Sequence, residues 1–151
     1  TLTFELGLSG AKARNDTGLN SSALSSDFTF KWRPNEQSRS KSFTWSTEWM
    51  LTKRRGKTDS NSGLDTSKLS AVSSWIQYQM TERWWVQGRV EQAGIFNRSE
   101  GNVGKRKNSA LIGFFPTEFS GFRAQYDRLA EYGAEDEHRF SIQFNISMGA
   151  H

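Results

Sequence analysis

Arg139-Phe140-Ser141-Ile142-Gln143-Phe144-Asn145-Ile146-Ser147-Met148 alternates without a break, with Phe140, Ile142, Phe144, Ile146 and Met148 apolar and the residues between them polar. A period of two sends successive side chains to opposite faces of a strand, whereas a helix needs apolar residues three and four apart. The segment predicts a strand with one apolar and one polar face.

The same pattern recurs earlier in the 151 residues. Leu2, Phe4, Leu6 and Leu8 alternate with Thr3, Glu5, Gly7 and Ser9, and Phe28, Phe30 and Trp32 with Asp27, Thr29, Lys31 and Arg33. A third strand sets Phe43, Trp45, Thr47, Trp49 and Leu51 against Ser42, Thr44, Ser46 and Glu48. A weaker fourth opposes Val72, Ile76, Tyr78 and Met80 to Ser73, Trp75, Gln77 and Gln79, and a fifth Trp84, Val86 and Val90 to Trp85, Gln87, Arg89 and Glu91. The sixth, around Ser109 to Phe115, is apolar on both faces; the seventh sets Phe122, Ala124 and Tyr126 against Arg123, Gln125 and Asp127. Eight strands in one domain, residues 1–151, are therefore expected.

The connections alternate in length. Long polar stretches follow the odd strands (Arg14 to Ser22, Arg54 to Lys68, Asn97 to Asn108, Ala130 to Glu137), short ones sit at Thr81 to Arg83 and Pro116 to Glu118, and a middling one runs from Pro34 to Lys41. Short periplasmic turns and long extracellular loops are the habit of outer-membrane barrels. The expected fold is thus all-β, a transmembrane antiparallel up-and-down barrel of eight strands, or part of a larger one, with both termini periplasmic. An even count lets the first and last strands close antiparallel and removes open edges.

Composition agrees with this class. A mean hydropathy of −0.73 suits a water-soluble protein, and no apolar run approaches the roughly 20 residues of a transmembrane helix, but barrel strands need only about 9–11 alternating residues. The 13% aromatic content argues against disorder. The absence of cysteine removes disulfides and thiolate chemistry. Thr1 opens directly into an alternating segment, so any signal peptide is expected to have been removed.

A soluble eight-stranded calyx of the lipocalin type has the same period with its apolar face turned inward. The polar face here carries Glu5, Lys31, Arg33, Glu48, Arg89, Glu91, Arg123 and Asp127 in nearly balanced sign. That set suits a salt-bridged barrel interior, where each charge has partners, and suits water equally well. Trp32, Trp49, Tyr78, Trp84, Trp85 and Tyr126 fall near predicted strand ends, as interfacial girdles do, although aromatics also favour strands in general.

Asp27-Phe28-Thr29-Phe30-Lys31-Trp32-Arg33-Pro34, followed by Ser42-Phe43-Thr44, Glu48, Trp85, Gly88-Arg89, Pro116-Thr117-Glu118-Phe119-Ser120, Arg123, Gln125, Tyr126 and Met148-Gly149-Ala150-His151, resembles a family of Gram-negative outer-membrane barrels described as porin-like, zinc-regulated or TonB-dependent-receptor-like. The resemblance covers almost the whole chain in order. It implies passage of small solutes or metal ions and fixes no substrate. Family members are longer before the first strand and continue past the Gly-Ala-His segment to a terminal aromatic, so the chain resembles their C-terminal part.

No catalytic constellation is expected. The two histidines, His138 and His151, lie at a loop edge and at the terminus, away from any serine and acid pairing. Zinc ligation by His138 with Glu135, Asp136 or Glu137 is chemically allowed, but acidic loop clusters are ordinarily just solvated, so no metal or cofactor is assigned. The Asn-x-Ser/Thr matches at Asn15, Asn20, Asn97 and Asn145 arise readily by chance in a serine-rich chain. A pI near 9.6 raises nucleic acid as a partner, but no recognised motif accompanies the charge. Instead Lys12, Arg14, Lys53, Arg54, Arg55, Lys57, Lys105, Arg106 and Lys107 fall at the predicted extracellular rim, where lipopolysaccharide phosphates would meet them.

Two functions follow as expectations. In one, the chain is part of a pore wide enough for solutes, with the polar-face charges lining the lumen and with further strands or subunits completing it, since eight strands enclose only side chains. In the other, eight strands close alone into a non-conducting anchor or adhesive barrel.

Overall fold

The structure, a computed structural model, describes all residues except 15–17, 36–39, 58–63, 96–103, 132 and 148–151, and describes the backbone alone at 55–57 and 64–67. Eight strands follow in order: β1 (Leu2–Arg14), β2 (Asn20–Trp32), β3 (Ser42–Lys57), β4 (Leu64–Gln79), β5 (Trp84–Ala93), β6 (Lys105–Thr117), β7 (Ser120–Glu131) and β8 (Glu137–Ile146). Each pairs antiparallel with its sequence neighbours in a single up-and-down sheet.

The sheet is open, which departs from the expected closed barrel: β1 and β8 make no contact with each other. Both are exposed along nearly their whole length, because each has a neighbour on one side only. Several strands also run further than expected. Polar stretches assigned to loops continue the ladders, through Arg14↔Asn20 between β1 and β2 and through Lys57↔Leu64 between β3 and β4. At the opposite end the turns are tight. Thr81 Oγ1 accepts from the backbone N–H groups of Arg83 and Trp84 at 3.3 and 3.1 Å, and the Thr117 and Ser120 hydroxyls meet at 2.7 Å across the β6–β7 turn.

The register carries the alternation of every strand into two coherent faces. Directly opposed residues form rungs, such as Leu2–Trp32–Phe43–Tyr78 and, one step lower, Trp84–Phe114–Phe122–Phe144. With two exceptions, Met50 and Leu69, every exposed large hydrophobic side chain at a register-paired position lies on this apolar face. The opposite, polar face holds the buried Leu111, Ser109 and Asp127, whereas on the apolar face the small Ser70, opposite Leu51, is buried. Polarity is thus inverted relative to a water-soluble core.

The apolar band is inclined to the rungs. On β1, β3 and β4 the first outward charges at the long-hairpin end sit on the rung Lys12–Ser22–Lys53–Lys68, whereas on β7 Arg128 already occupies the rung of Leu6, Phe28, Thr47, Ser74 and Val90. The border falls by six residues, from position 12 to position 6 of β1, over the six steps from β1 to β7. That is about 20 Å along the strands against about 29 Å across them, an inclination of about 35°. The aromatic border at the short-turn end falls in the same sense, from Trp32, Phe43 and Tyr78 to Trp84, Phe114, Phe122 and Phe144.

Polar atoms inside the band satisfy one another. The Thr47 and Ser74 hydroxyls lie 2.8 Å apart, and Trp45 Nε1 donates to Ser74 Oγ at 3.1 Å. Ser74→Ala is expected to destabilise the refolded chain by about 1–3 kcal/mol, because it orphans two groups on an apolar surface. Ser73→Ala, one residue away on the polar face, should leave the denaturant midpoint unchanged; equal effects on the two would refute the face assignment.

Candidate functional site

The polar face is where charged chemistry concentrates, because the strand parity gathers every acidic side chain of the paired strands there: Glu5, Asp27, Glu48, Glu91, Asp127, Glu131 and Glu137, with the side chain of Asp65 outside the described set. A connected network crosses β5, β6 and β7. Arg123 donates to Gln125 at 2.5 Å, and Gln125 donates to Asp127 at 2.8 and 2.9 Å. Ser109 donates to Asp127 at 2.5 Å, Lys107 lies 3.5 Å from Asp127 and 3.9 Å from Glu91, and Arg89 lies 3.9 Å from Glu91. Asp127 is 7% exposed, so it is the member whose partners matter most. Arg89 Nε is buried without a hydrogen-bond partner. Towards the long-hairpin end the face opens into a recess of about 340 Å³ whose lining includes Glu48, Met50, Ser73, Glu91 and Lys107.

Of the other residues expected to line this face, Glu5 pairs with Lys31 at 2.9 Å with both side chains about half-exposed. Glu48 opposes Asp27 across β2 and β3. Arg33 lies just beyond β2 and is exposed, with its backbone bonded to Thr1. The eight expected residues do share one side of the sheet, but only Arg89, Glu91, Arg123 and Asp127 join one network. The set expected to line this face omits Lys107, which bridges Glu91 and Asp127, Gln125, which bridges Arg123 and Asp127, and Ser109, which donates to Asp127. Lys107, expected at the rim, shares the parity of Leu111, and that parity is legible only when the run 105–108 is read as strand.

The basic residues expected together at a rim are sorted onto opposite faces. Lys12, Arg14, Lys53 and Arg106 share the apolar face, whereas Arg54, Lys105 and Lys107 share the polar face, where Lys105 reaches Glu131 at 3.0 Å. Their strands extend past the apolar band, so each obeys parity and not loop geometry. The side chains of Arg55 and Lys57 lie outside the described residues.

Trp85 is likewise placed on the polar face, not in a girdle. A Cβ at Gly113 would collide with the Trp85 indole, so the ring lies flat on the neighbouring strand, and Phe115 lies on Gly121 in the same way, with ring carbons 2.7 Å from a would-be Cβ. Gly7 similarly accommodates the Asp27 carboxylate. These glycines let bulky side chains rest against the neighbouring strand. Trp75 shares the face, opposite Arg89.

Among the described residues no three His, Cys, Asp or Glu side chains converge to hold a metal. His138 Nδ1 lies 2.6 Å from Tyr126 Oη, Asp136 is held by Arg128 and Glu137 by Arg139. His151 lies outside the described residues. No family model, curated protein or solved structure matches the chain, and the resemblance seen in its sequence stands as a proposal.

Gly113→Val must lift the Trp85 ring off β6. The expected outcome is a loss of about 1–3 kcal/mol together with a changed tryptophan emission; an unshifted emission would show that the ring does not rest there. Asp127→Ala strips Ser109 and Gln125 of their acceptor and Lys107 of its nearer carboxylate, and should cost about 1–3 kcal/mol, whereas Glu137→Gln, at an exposed pair, should leave the unfolding midpoint in place.

Proposed function

We propose that the chain forms transmembrane wall of an outer-membrane β-barrel of porin-like kind, with its apolar face against lipid and its polar face towards an aqueous lumen that passes small solutes or ions. The observation that carries this is the inclined apolar band on one face of a single sheet whose acidic residues, among those with described side chains, all turn the other way. Leaving roughly twenty large apolar side chains half-exposed to water forfeits about 1 kcal/mol of burial each, which an apolar surrounding on that face would supply. Among the described residues no helix is long and apolar enough to cross a membrane, so a crossing falls to strands. The inclination of about 35° is the tilt that strands adopt in closed barrels. On β3 the band runs from Phe43 to Leu51, the length such a crossing requires.

Two features favour an open lumen over the closed, non-conducting alternative. The free edges of β1 and β8 leave room for completing strands or a second copy, and the rings of Trp85 and Phe115 lie along the wall and do not stand out from it. The network from Arg123 to Arg89 favours the alternative, since in eight strands it would fill the interior.

Discrete, long-lived conductance steps are expected when the refolded full chain is added to a planar bilayer at high salt. A silent bilayer with verified insertion would overturn passage in favour of an anchor or adhesive barrel. The lipid face is tested separately: Phe28→Arg should destabilise the inserted chain by about 2–4 kcal/mol, and Thr29→Arg, one residue along, far less. Equal tolerance of both would remove the membrane reading.

A further inference from the structure

All Lys, Arg, Asp and Glu side chains described on the apolar face of the paired strands are basic, and they follow one line. Lys12, Arg14, Lys53, Lys68, Arg106 and Arg128 lie just beyond the apolar band at the long-hairpin end, stepping down with its inclined border from β1 to β7. No Asp or Glu shares that face at a register-paired position with a described side chain. Charge placed only for solubility would show both signs on both faces, as the polar face does.

Resting on the membrane reading above, we propose that this row is a binding girdle for the phosphate groups of an anionic lipid, the phosphorylated glucosamine headgroup of lipopolysaccharide. Lys53 and Lys68 stand directly opposite each other on adjacent strands. Like charges so placed repel, and an anion between them removes that cost. Lys12 shares their rung two strands away, about 10 Å from Lys53, so a headgroup carrying two phosphates spans the set. Among the described residues Lys12, Arg14, Lys53 and Lys68 have no ion-pair partner, whereas on the polar face Lys31, Arg89, Lys105, Lys107 and Arg139 each have one, with Arg54 and Arg123 the exceptions there. Arg128, tied to Asp136, and Arg106, bonded to Asn108, border the row on β7 and β6. Acyl chains of a lipid held there would lie along Leu8, Leu24, Leu51 and Val72, which sit directly below the row. Lys68 and Arg128 belong to it although the charge pattern of the loops does not single them out.

The test compares two variants of the full refolded chain that lose equal charge: K12Q/K53Q/K68Q on the apolar face and K31Q/R54Q/K105Q on the polar face. Each is inserted in phosphatidylcholine vesicles containing bis-phosphorylated lipid A, extracted in mild detergent, and its retained lipid A measured by mass spectrometry. Retention should fall at least tenfold in the first variant, stay near the parent level in the second, and vanish for all three when dephosphorylated lipid A is used. Equal retention by the two variants, or displacement of lipid A by millimolar inorganic phosphate, would overturn the girdle while insertion leaves the membrane reading intact. Failure of the parent chain to insert would instead remove the membrane reading, and with it this one.

Discussion

Parity is the constraint on which the rest depends: one two-residue period kept in register across seven consecutive strand pairs. A slip of a single residue in any pair would carry that strand's acids onto the apolar face and its large hydrophobic side chains onto the polar one. Each hairpin therefore fixes the next, and the two faces are continuous only because none of the seven breaks step. The single register shift, between Phe114 and Thr117, lies at the short-turn end below the aromatic border, where it turns the strand without reversing the faces above it. Ladder hydrogen bonds hold the strands together, but the cost of misplacing Glu48, Glu91 or Asp127 selects the register.

With its polarity inverted, the sheet has no second layer to bury its apolar face. Apart from Leu111, its enclosed positions are instead small or hydrogen-bonded: Gly113 and Gly121 beneath aromatic rings, Ser70, and Ser109 and Asp127 within a network. The same parity that supplies an apolar band supplies a polar surface whose charges neutralise one another. The polar face and the apolar face are two consequences of one alternation, and neither can be altered by shifting a strand without damage to the other.

The strands within the band were legible because alternation there is between oil and water. Beyond the band both faces are polar, the contrast disappears, and the backbone pairing that persists through Ala11 to Arg14, Lys53 to Lys57 and Lys105 to Asn108 leaves no trace in hydropathy. The rim was thus read as loop, and its cations were pooled when parity divides them. Trp85 carries two readings in the sequence: nearness to a strand end suggests a girdle, while its step from Trp84 gives it to the polar face, where the register places it. The glycine that receives its ring is distant in sequence and identifiable only through register. The charged set of the polar face was legible residue by residue, but which members meet depends on neighbours across strands, as with Lys107 between Glu91 and Asp127.

Closure is a different kind of property, because it depends on curvature and not on period. A border that falls about one residue per strand step gives much the same tilt whether eight strands or more complete the circuit, so the inclination of the band is neutral on strand number. Within hydrocarbon, however, the unpaired N–H and C=O groups along β1 and β8 must find partners. β1 runs away from the short-turn end and β8 runs back towards it. The two edges are therefore already antiparallel, and strands inserted between them can keep that alternation only in even number. Were strands added at these edges, parity would require Glu5 and Thr3 at one and Arg139 and Gln143 at the other to fall on the same side as the polar residues of the added strands.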